Sequence, residues 1–243
     1  MHEEISDRGE RIIPASEGEI SFVYSRHKFA YENVQQFVEK KSVIDVGCGT
    51  GYGCKILAEK AELVYGIDYD AEAIAYSRVH YSAPNINYFR MDAASLELDR
   101  QFDIAVSFQV IEHLEDQAGF LHVLKRIVKP SGSIYISTPN IIGPSFGKHK
   151  NPFHINEMSY LQFRELIAEN FSSFEILGID YASSNKLRSF LSNTPIYRWG
   201  GLLKRSSGLK RIAGRALDLN SFKIINTNVE NDAGDLLAVC HNV

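Results

Sequence analysis

Cysteine is scarce in this chain, with three in 243 residues, and Cys48, Cys54 and Cys240 are odd in number and lack the C-x-x-C spacing of a metal or redox pair. Neither a disulfide framework nor a thiol metal centre is expected, and a reducing cytoplasm suits the composition. Long hydrophobic runs are missing too: no stretch approaches the roughly 20 apolar residues of a membrane span. The opening MHEEISDRGE is acidic and has no apolar core, so neither a secretory signal nor a transit peptide is expected. Excess positive charge is also lacking. The 26 Lys and Arg against 30 Asp and Glu leave a net charge of -4, which speaks against a dedicated nucleic-acid binder. Internal repeats and low-complexity tracts are absent. What is present is an ordinary globular composition, 44% hydrophobic and 23% charged, sufficient for one large core.

Along that core, short apolar runs rich in β-branched residues alternate with helical patterns, which implies βαβ units and a mostly parallel sheet. The pattern predicts strands at Val43–Val46, Leu63–Asp68, Ile86–Arg90, Phe102–Phe108, Ser133–Thr138, Phe174–Ile179 and Asp235–His241. Helices are expected at about Tyr52–Lys60, Ala71–Tyr81, Gln117–Lys129 and Ser159–Asn170, with an amphipathic helix carrying Ala30, Val34, Phe37 and Val38 upstream. Between Lys186 and Lys223 the alternation breaks, and nine Lys or Arg face one acid, Asp218. The organisation expected is one domain over 1–243: a lid segment (1–41), a cofactor-binding core (42–181), a basic helical insertion (182–234) and a last strand (235–243). The basic block reads as a solvated face, a docking surface for phosphate-bearing acceptors, or an interfacial helix able to touch a membrane surface.

The first strand runs into SVIDVGCGTGYG, where Gly47, Gly49 and Gly51 fall on the strand-to-helix turn at which a doubly wound sheet binds its ligand. Glycine there permits positive φ and close backbone approach. The dinucleotide fingerprint is G-x-G-x-x-G; here the third glycine arrives one residue early, which argues against a pyrophosphate. Asp68 ends the second strand 21 residues past Gly47, the place for a carboxylate that accepts ribose hydroxyls. Asp92, after the third strand, is positioned for the exocyclic amine of an adenine. Ribose and adenine without a diphosphate describe S-adenosylmethionine better than NAD.

The ordered segments VIDVGCGTGYG, VYGIDYD, RMDAA, FDIAVSFQVIEHL and LKRIVKPSGSIYISTPN resemble the successive motifs of class I S-adenosylmethionine-dependent methyltransferases. GERIIP, SRHKFAYENV and NPFHINEMSYLQFRELI extend the resemblance to a bacterial subgroup associated with O-methylation of sugars and glycans. That resemblance implies an α/β Rossmann-like fold with a seven-stranded sheet, the last strand antiparallel, helices on both faces and a helical cap insertion. It implies S-adenosylmethionine as cofactor, with Asp45, Gly47, Cys48, Gly49, Asp68, Tyr69, Met91, Asp92, Ala93, Phe108 and Gln109 around it. Asp45 is expected to orient the glycine loop or the cofactor's amino group, Cys48 to pack as a small apolar residue, and Arg26 to meet the methionine carboxylate.

Methyl transfer is an in-line displacement at a carbon already bound to a sulfonium, so alignment supplies most of the rate. An oxygen acceptor must also lose a proton, which a histidine can take. His113, in VIEHL, and His154, in NPFH, both lie after strands on the ligand face and are the candidate bases, with Glu112 beside the first. His27 is a candidate lid residue. Glu112, His113 and a later histidine are also similar to the loop of metal-dependent RNA 2′-O-methyltransferases, but Gln109 stands where that pattern has its first glutamate, so no metal is expected. The acceptor expected is a small molecule, a sugar or glycan precursor, and not a nucleic acid. Metal-assisted RNA 2′-O-methylation and non-catalytic cofactor binding are the alternatives.

Overall fold

Strand β1 (Ser42–Val46) buries Val43, Ile44 and Val46 on both of its faces, as a strand must when helices cover each side of a parallel sheet. In the computed structural model, which describes residues 22–143, 153–181 and 222–243, the same logic recurs along the chain. The order is α1 (Phe22–Gln35), β1, α2 (Tyr52–Ala58), β2 (Leu63–Asp68), α3 (Ala71–His80), β3 (Ile86–Arg90), β4 (Phe102–Phe108), α4 (Gln117–Ile127), β5 (Val128–Pro139), α5 (Tyr160–Asn170), β6 (Ser173–Tyr181), β7 (Phe222–Ile225), α6 (Val229–Asp232) and β8 (Asp235–His241). Local chemistry starts the helices. Asp70 accepts the amides of Glu72 and Ala73 at the head of α3, Asp116 that of Gly119 in α4, and Ser159 with Gln162 forms a capping box on α5. None of the helices among the described residues is long and apolar enough to cross a membrane.

The strands form one sheet in the order β3-β2-β1-β4-β5-β8-β6-β7. From β3 to β5 neighbouring strands are parallel; β8 pairs antiparallel with both β5 and β6. Two cores flank it. Tyr31, Val34, Leu57 and Ile74 from α1, α2 and α3 pack on one face against Val43, Val64 and Val106. Phe120, Leu124, Phe163 and Ile167 from α4 and α5 pack on the other against Ile44, Ile136 and Ala238. Strand order reverses between β1 and β4, and ligands of such sheets bind at the carboxyl ends of the strands flanking that point.

Two expectations need correction. The sheet has eight strands, not seven, because Phe222–Ile225 adds an antiparallel edge to β6 within the span assigned to a helical insertion. Lys223 drew that segment into the basic block, yet it faces Asp180 at 3.7 Å, while Phe222 is buried beside Phe29. The rest of the basic block, from Lys186 to Arg215, lies outside the described residues. The second correction is that α4 stops at Ile127 and β5 begins at Val128, so Lys129 and Pro130 belong to the strand. A register shift opposite Phe102 and Ile104, with Ser131 at φ 65°, lets proline sit there, since a bulge relieves the ladder of the missing N–H.

Candidate functional site

The glycine loop follows β1 in a conformation closed to other residues at two points. Gly47 has φ 83°, and a Cβ there would come within 2.3 Å of Val110 Cγ2; Gly51 has φ 88°, and a Cβ would come within 2.6 Å of the Ser77 Cβ. A Cβ on Gly49 would meet nothing within 4 Å, so the middle of the loop faces open space. The amides of Gly47 and Cys48 both donate to Ile67 O, which fixes the loop against the end of β2. Asp45 braces it from beneath. Fully buried, it accepts from Tyr31 Oη at 3.1 Å and from Cys54 Sγ at 3.3 Å, and burial pushes its carboxyl up to about 7. Cys48 is buried beside it, and Phe108 packs edge-on to Tyr31 in the same core.

Asp68 stands at the carboxyl end of β2 directly beside this loop. Its Oδ2 accepts the Gly49 amide at 2.8 Å and its Oδ1 the Asp70 amide at 2.9 Å. The two amides hold the carboxylate at the edge of the sheet beside the glycine turn. Tyr69 is exposed next to it. Asp92, after β3, caps a short 3-10 turn by accepting the Ala94 amide at 2.9 Å, and the Met91 amide ties that end to Asp68 O. Met91 and Ala93 are partly buried against the core. The open face at Gly49 and this oriented carboxylate suit a nucleoside with a free ribose, and nothing among these residues offers a cradle for a diphosphate.

Across the switch point the arrangement changes. Gln109, at φ 58°, turns the chain after β4, its amide nitrogens tied to Ser137 O and Oγ on β5. A 3-10 turn over Ile111–His113 follows, and the amides of Ile155 and Asn156 donate to Glu112 O at 3.1 and 3.0 Å. These two bonds, with Asn156 Nδ2 on Leu114 O at 2.7 Å, carry His154 back to His113. The two imidazoles meet edge to face with centroids 4.8 Å apart. His113 Nδ1 donates to Phe153 O at 3.1 Å; His154 Nδ1 pairs with Glu157 Oε1 at 2.5 Å. Each partner is an acceptor, so each neutral ring carries its proton on Nδ1.

Glu112 lies beneath them, wholly buried. Thr138 Oγ1 donates to its Oε2 at 3.3 Å, its Oε1 has no hydrogen-bond partner among the described residues, and burial together with the nearby charge of Asp235 pushes the carboxyl up to about 8. One donor atom each from Glu112, His113 and His154 lies within 4.8 Å of the others, close enough for the set to hold a divalent ion. His27 is partly buried against Tyr52, 3.3 Å from its hydroxyl; desolvation and the neighbouring Arg26 hold it down to about 3. Arg26 Nε lies 2.8 Å from Asp235 Oδ2, at the start of β8. Glu157 and Asp235 are not singled out by any motif in the sequence. Glu157 offered a weak signal, a carboxylate three residues past a candidate histidine; Asp235 offered none, because only the β5–β8 register brings it to this edge.

The sheet is doubly wound and Rossmann-like, with a glycine turn after β1 and a carboxylate at the end of β2 on its ligand-binding edge. A methyltransferase-domain family model matches residues 44–136. A probable S-adenosylmethionine-dependent methyltransferase of Mycolicibacterium smegmatis is 37% identical over 175 residues, which are 70% of this chain and 67% of that protein. The ubiquinone biosynthesis O-methyltransferase of Pseudomonas aeruginosa is 33% identical over 104 residues, 41% of this chain and 45% of that one. The N-methyltransferase NodS of Bradyrhizobium japonicum, solved with S-adenosyl-L-homocysteine, superposes with a TM-score of 0.56 at 13% identity, covering 92% of this chain and 89% of its own. The chain belongs to the S-adenosylmethionine-dependent methyltransferase family, with S-adenosylmethionine as its cofactor. It spans about three fifths to two thirds of the length of the mycobacterial relatives it matches.

Proposed function

We propose that the protein methylates a hydroxyl oxygen of a small molecule, a sugar or glycan precursor, with His154 as the general base. The observation that carries this is the His154–Glu157 pair standing beside His113 across the switch point from Asp68. Bound S-adenosylmethionine supplies a methyl carbon on a sulfonium, which needs no acid to leave. The chain's own task is alignment and one proton. Asp68 holds the ribose hydroxyls and Asp92 with Met91 and Ala93 borders the adenine, while Gly47, Cys48 and Gly49 allow the backbone close to the methionine moiety. The cofactor held by these residues would supply its methyl group to the acceptor oxygen and leave as S-adenosyl-L-homocysteine. Glu157 holds the His154 ring with Nδ1 protonated, so that Nε2 takes the hydroxyl proton, an assistance worth about 100- to 10,000-fold. His113 orients the acceptor.

Incubating the enzyme with labelled cofactor and a panel of nucleotide sugars, followed by mass spectrometry, tests the reading; methylation confined to amines or phenols overturns it. The donor set of Glu112, His113 and His154 favours one second reading, metal-assisted methylation of an RNA 2′-hydroxyl. A chelator separates the two. Full turnover in its presence supports His154 as a metal-free base, and loss of turnover restored by a divalent ion supports the second.

A further inference from the structure

Where β4 ends, the backbone leaves regular geometry. Gln109 takes φ 58°, a left-handed conformation that an L residue keeps only where its surroundings hold it. Ser137 on β5 does so twice: its carbonyl accepts the Gln109 amide at 2.9 Å, and its Oγ accepts Nε2 at 3.2 Å. The turn lays the next side chain, Val110, over the glycine turn of the neighbouring strand β1. The three atoms nearest to a Cβ built on Gly47 all belong to Val110, Cγ2 at 2.3 Å and Cβ and Cγ1 at 3.4 Å, so its isopropyl group fills the space that a side chain at 47 would take. The backbone of Val110 serves the other half of the site. Its carbonyl accepts the His113 amide at 2.9 Å, in the 3-10 turn Ile111–His113 for which it is the N-cap residue. From that turn, Glu112 O accepts the amides of Ile155 and Asn156, the two residues that follow His154.

One residue thus bears on the glycine turn with its side chain and on the histidine turn with its backbone. Core packing does not account for it. Val110 is half-buried at the rim of the α4–α5 core, whereas its neighbour Ile111 is fully buried and anchors the turn. What valine offers at such a place is shape: a β-branched side chain has few χ1 choices, which makes it a stiff spacer of fixed width. An in-line displacement depends on such spacing, since misplacing the reactants by about 1 Å can cost about 100-fold in rate.

We propose that Val110 is a positioning residue for the methyl transfer: its side chain sets the separation between the glycine turn and the turn that carries His113 and, through Glu112, His154. This rests on the reading of His154 as the base for a hydroxyl acceptor. Val110→Ala removes the spacer, and Val110→Thr keeps its shape. Both are compared with the wild type and His154→Asn in turnover of labelled cofactor with the nucleotide-sugar panel, in calorimetry with S-adenosyl-L-homocysteine, and in 15N–1H spectra of the imidazole rings. Val110→Ala should lower kcat by about 10- to 100-fold while S-adenosyl-L-homocysteine affinity and the acceptor KM stay within about threefold. It should also shift the ring signals of His113 and His154 and leave those of His27 in place. Val110→Thr should restore kcat to within about threefold of the wild type. Unmoved ring signals, a cofactor affinity that falls in step with kcat, or a threonine variant as slow as the alanine one overturns the spacer and leaves the base reading standing. Failure of both Val110 variants to fold makes Val110 a core residue and overturns the spacer too. Full turnover in His154→Asn, or a panel in which no hydroxyl is methylated, overturns the base reading and the positioning role with it.

Discussion

Asp68 and Glu112 are both carboxyl groups at one edge of one sheet, yet they are held in opposite ways. Asp68 accepts the backbone amides of Gly49 and Asp70 and is fixed by the loop it helps to fix. Glu112 is buried, with one hydroxyl donor on Oε2 and no partner for Oε1 among the described residues. In the reading proposed above, the adenosine half of the edge is built from backbone geometry, which suits a ligand that never changes. The acceptor half is built from side chains delivered by β4, β5, β8, α1 and the loop through His154.

Substitutions that confine damage to one half sharpen the contrast, and ones that spread it break it. The largest effect is expected for His154→Asn, which removes the proton acceptor: kcat should fall by about 100- to 10,000-fold while S-adenosyl-L-homocysteine affinity by calorimetry stays within about twofold. Next is Gly47→Ala. Its Cβ would sit 2.3 Å from Val110 Cγ2 at φ 83°, so the loop must move, and stability should drop by about 1–3 kcal/mol in thermal unfolding with cofactor affinity down at least about tenfold. Asp68→Ala should weaken cofactor binding by about tenfold or more, read by calorimetry, and leave the acceptor KM at saturating cofactor unchanged. Equal losses on both ligands in any of these variants would mean that the two halves are not separate.

The smallest effect concerns α1, the element that touches both halves. His27 is neutral in the fold because burial, then Arg26, lowers it from 6.5 to about 3, so the unfolded chain binds the extra proton between those values. Stability therefore falls as pH drops from 6.5 towards 3, by up to about 1.4 kcal/mol per pH unit for this one group. His27→Gln should flatten that slope in denaturant titrations at pH 4 to 6, and an unchanged slope would remove His27 from the account of α1.

The glycine turn and the acids beside it were legible as local features because they are contiguous: three glycines after a strand, then Asp68 ending the second strand and Asp92 just past the third. Strand positions, the capped helices and the sheet's parallel core were legible for the same local reasons. The acceptor half was legible only in its histidines. Glu157 takes meaning once the Ile155 and Asn156 amides on Glu112 O fold its loop back, and Asp235 once β8 inserts between β5 and β6. The eighth strand was hidden by Lys223, whose charge outweighed the alternation of Phe222 and Ile224 in reading FKII. Arg26, expected at the cofactor's methionine carboxylate, lies against Asp235, a pairing that sequence spacing does not encode.

The most direct test of this division is a crystal structure with S-adenosyl-L-homocysteine bound. The ribose hydroxyls should lie within hydrogen-bond distance of the Asp68 carboxylate and the sulfur should point across the switch point towards His154, with Glu112 and Asp235 untouched by the nucleoside. An adenosine seated over β5 and β8, in contact with Glu112 or Asp235, would contradict it.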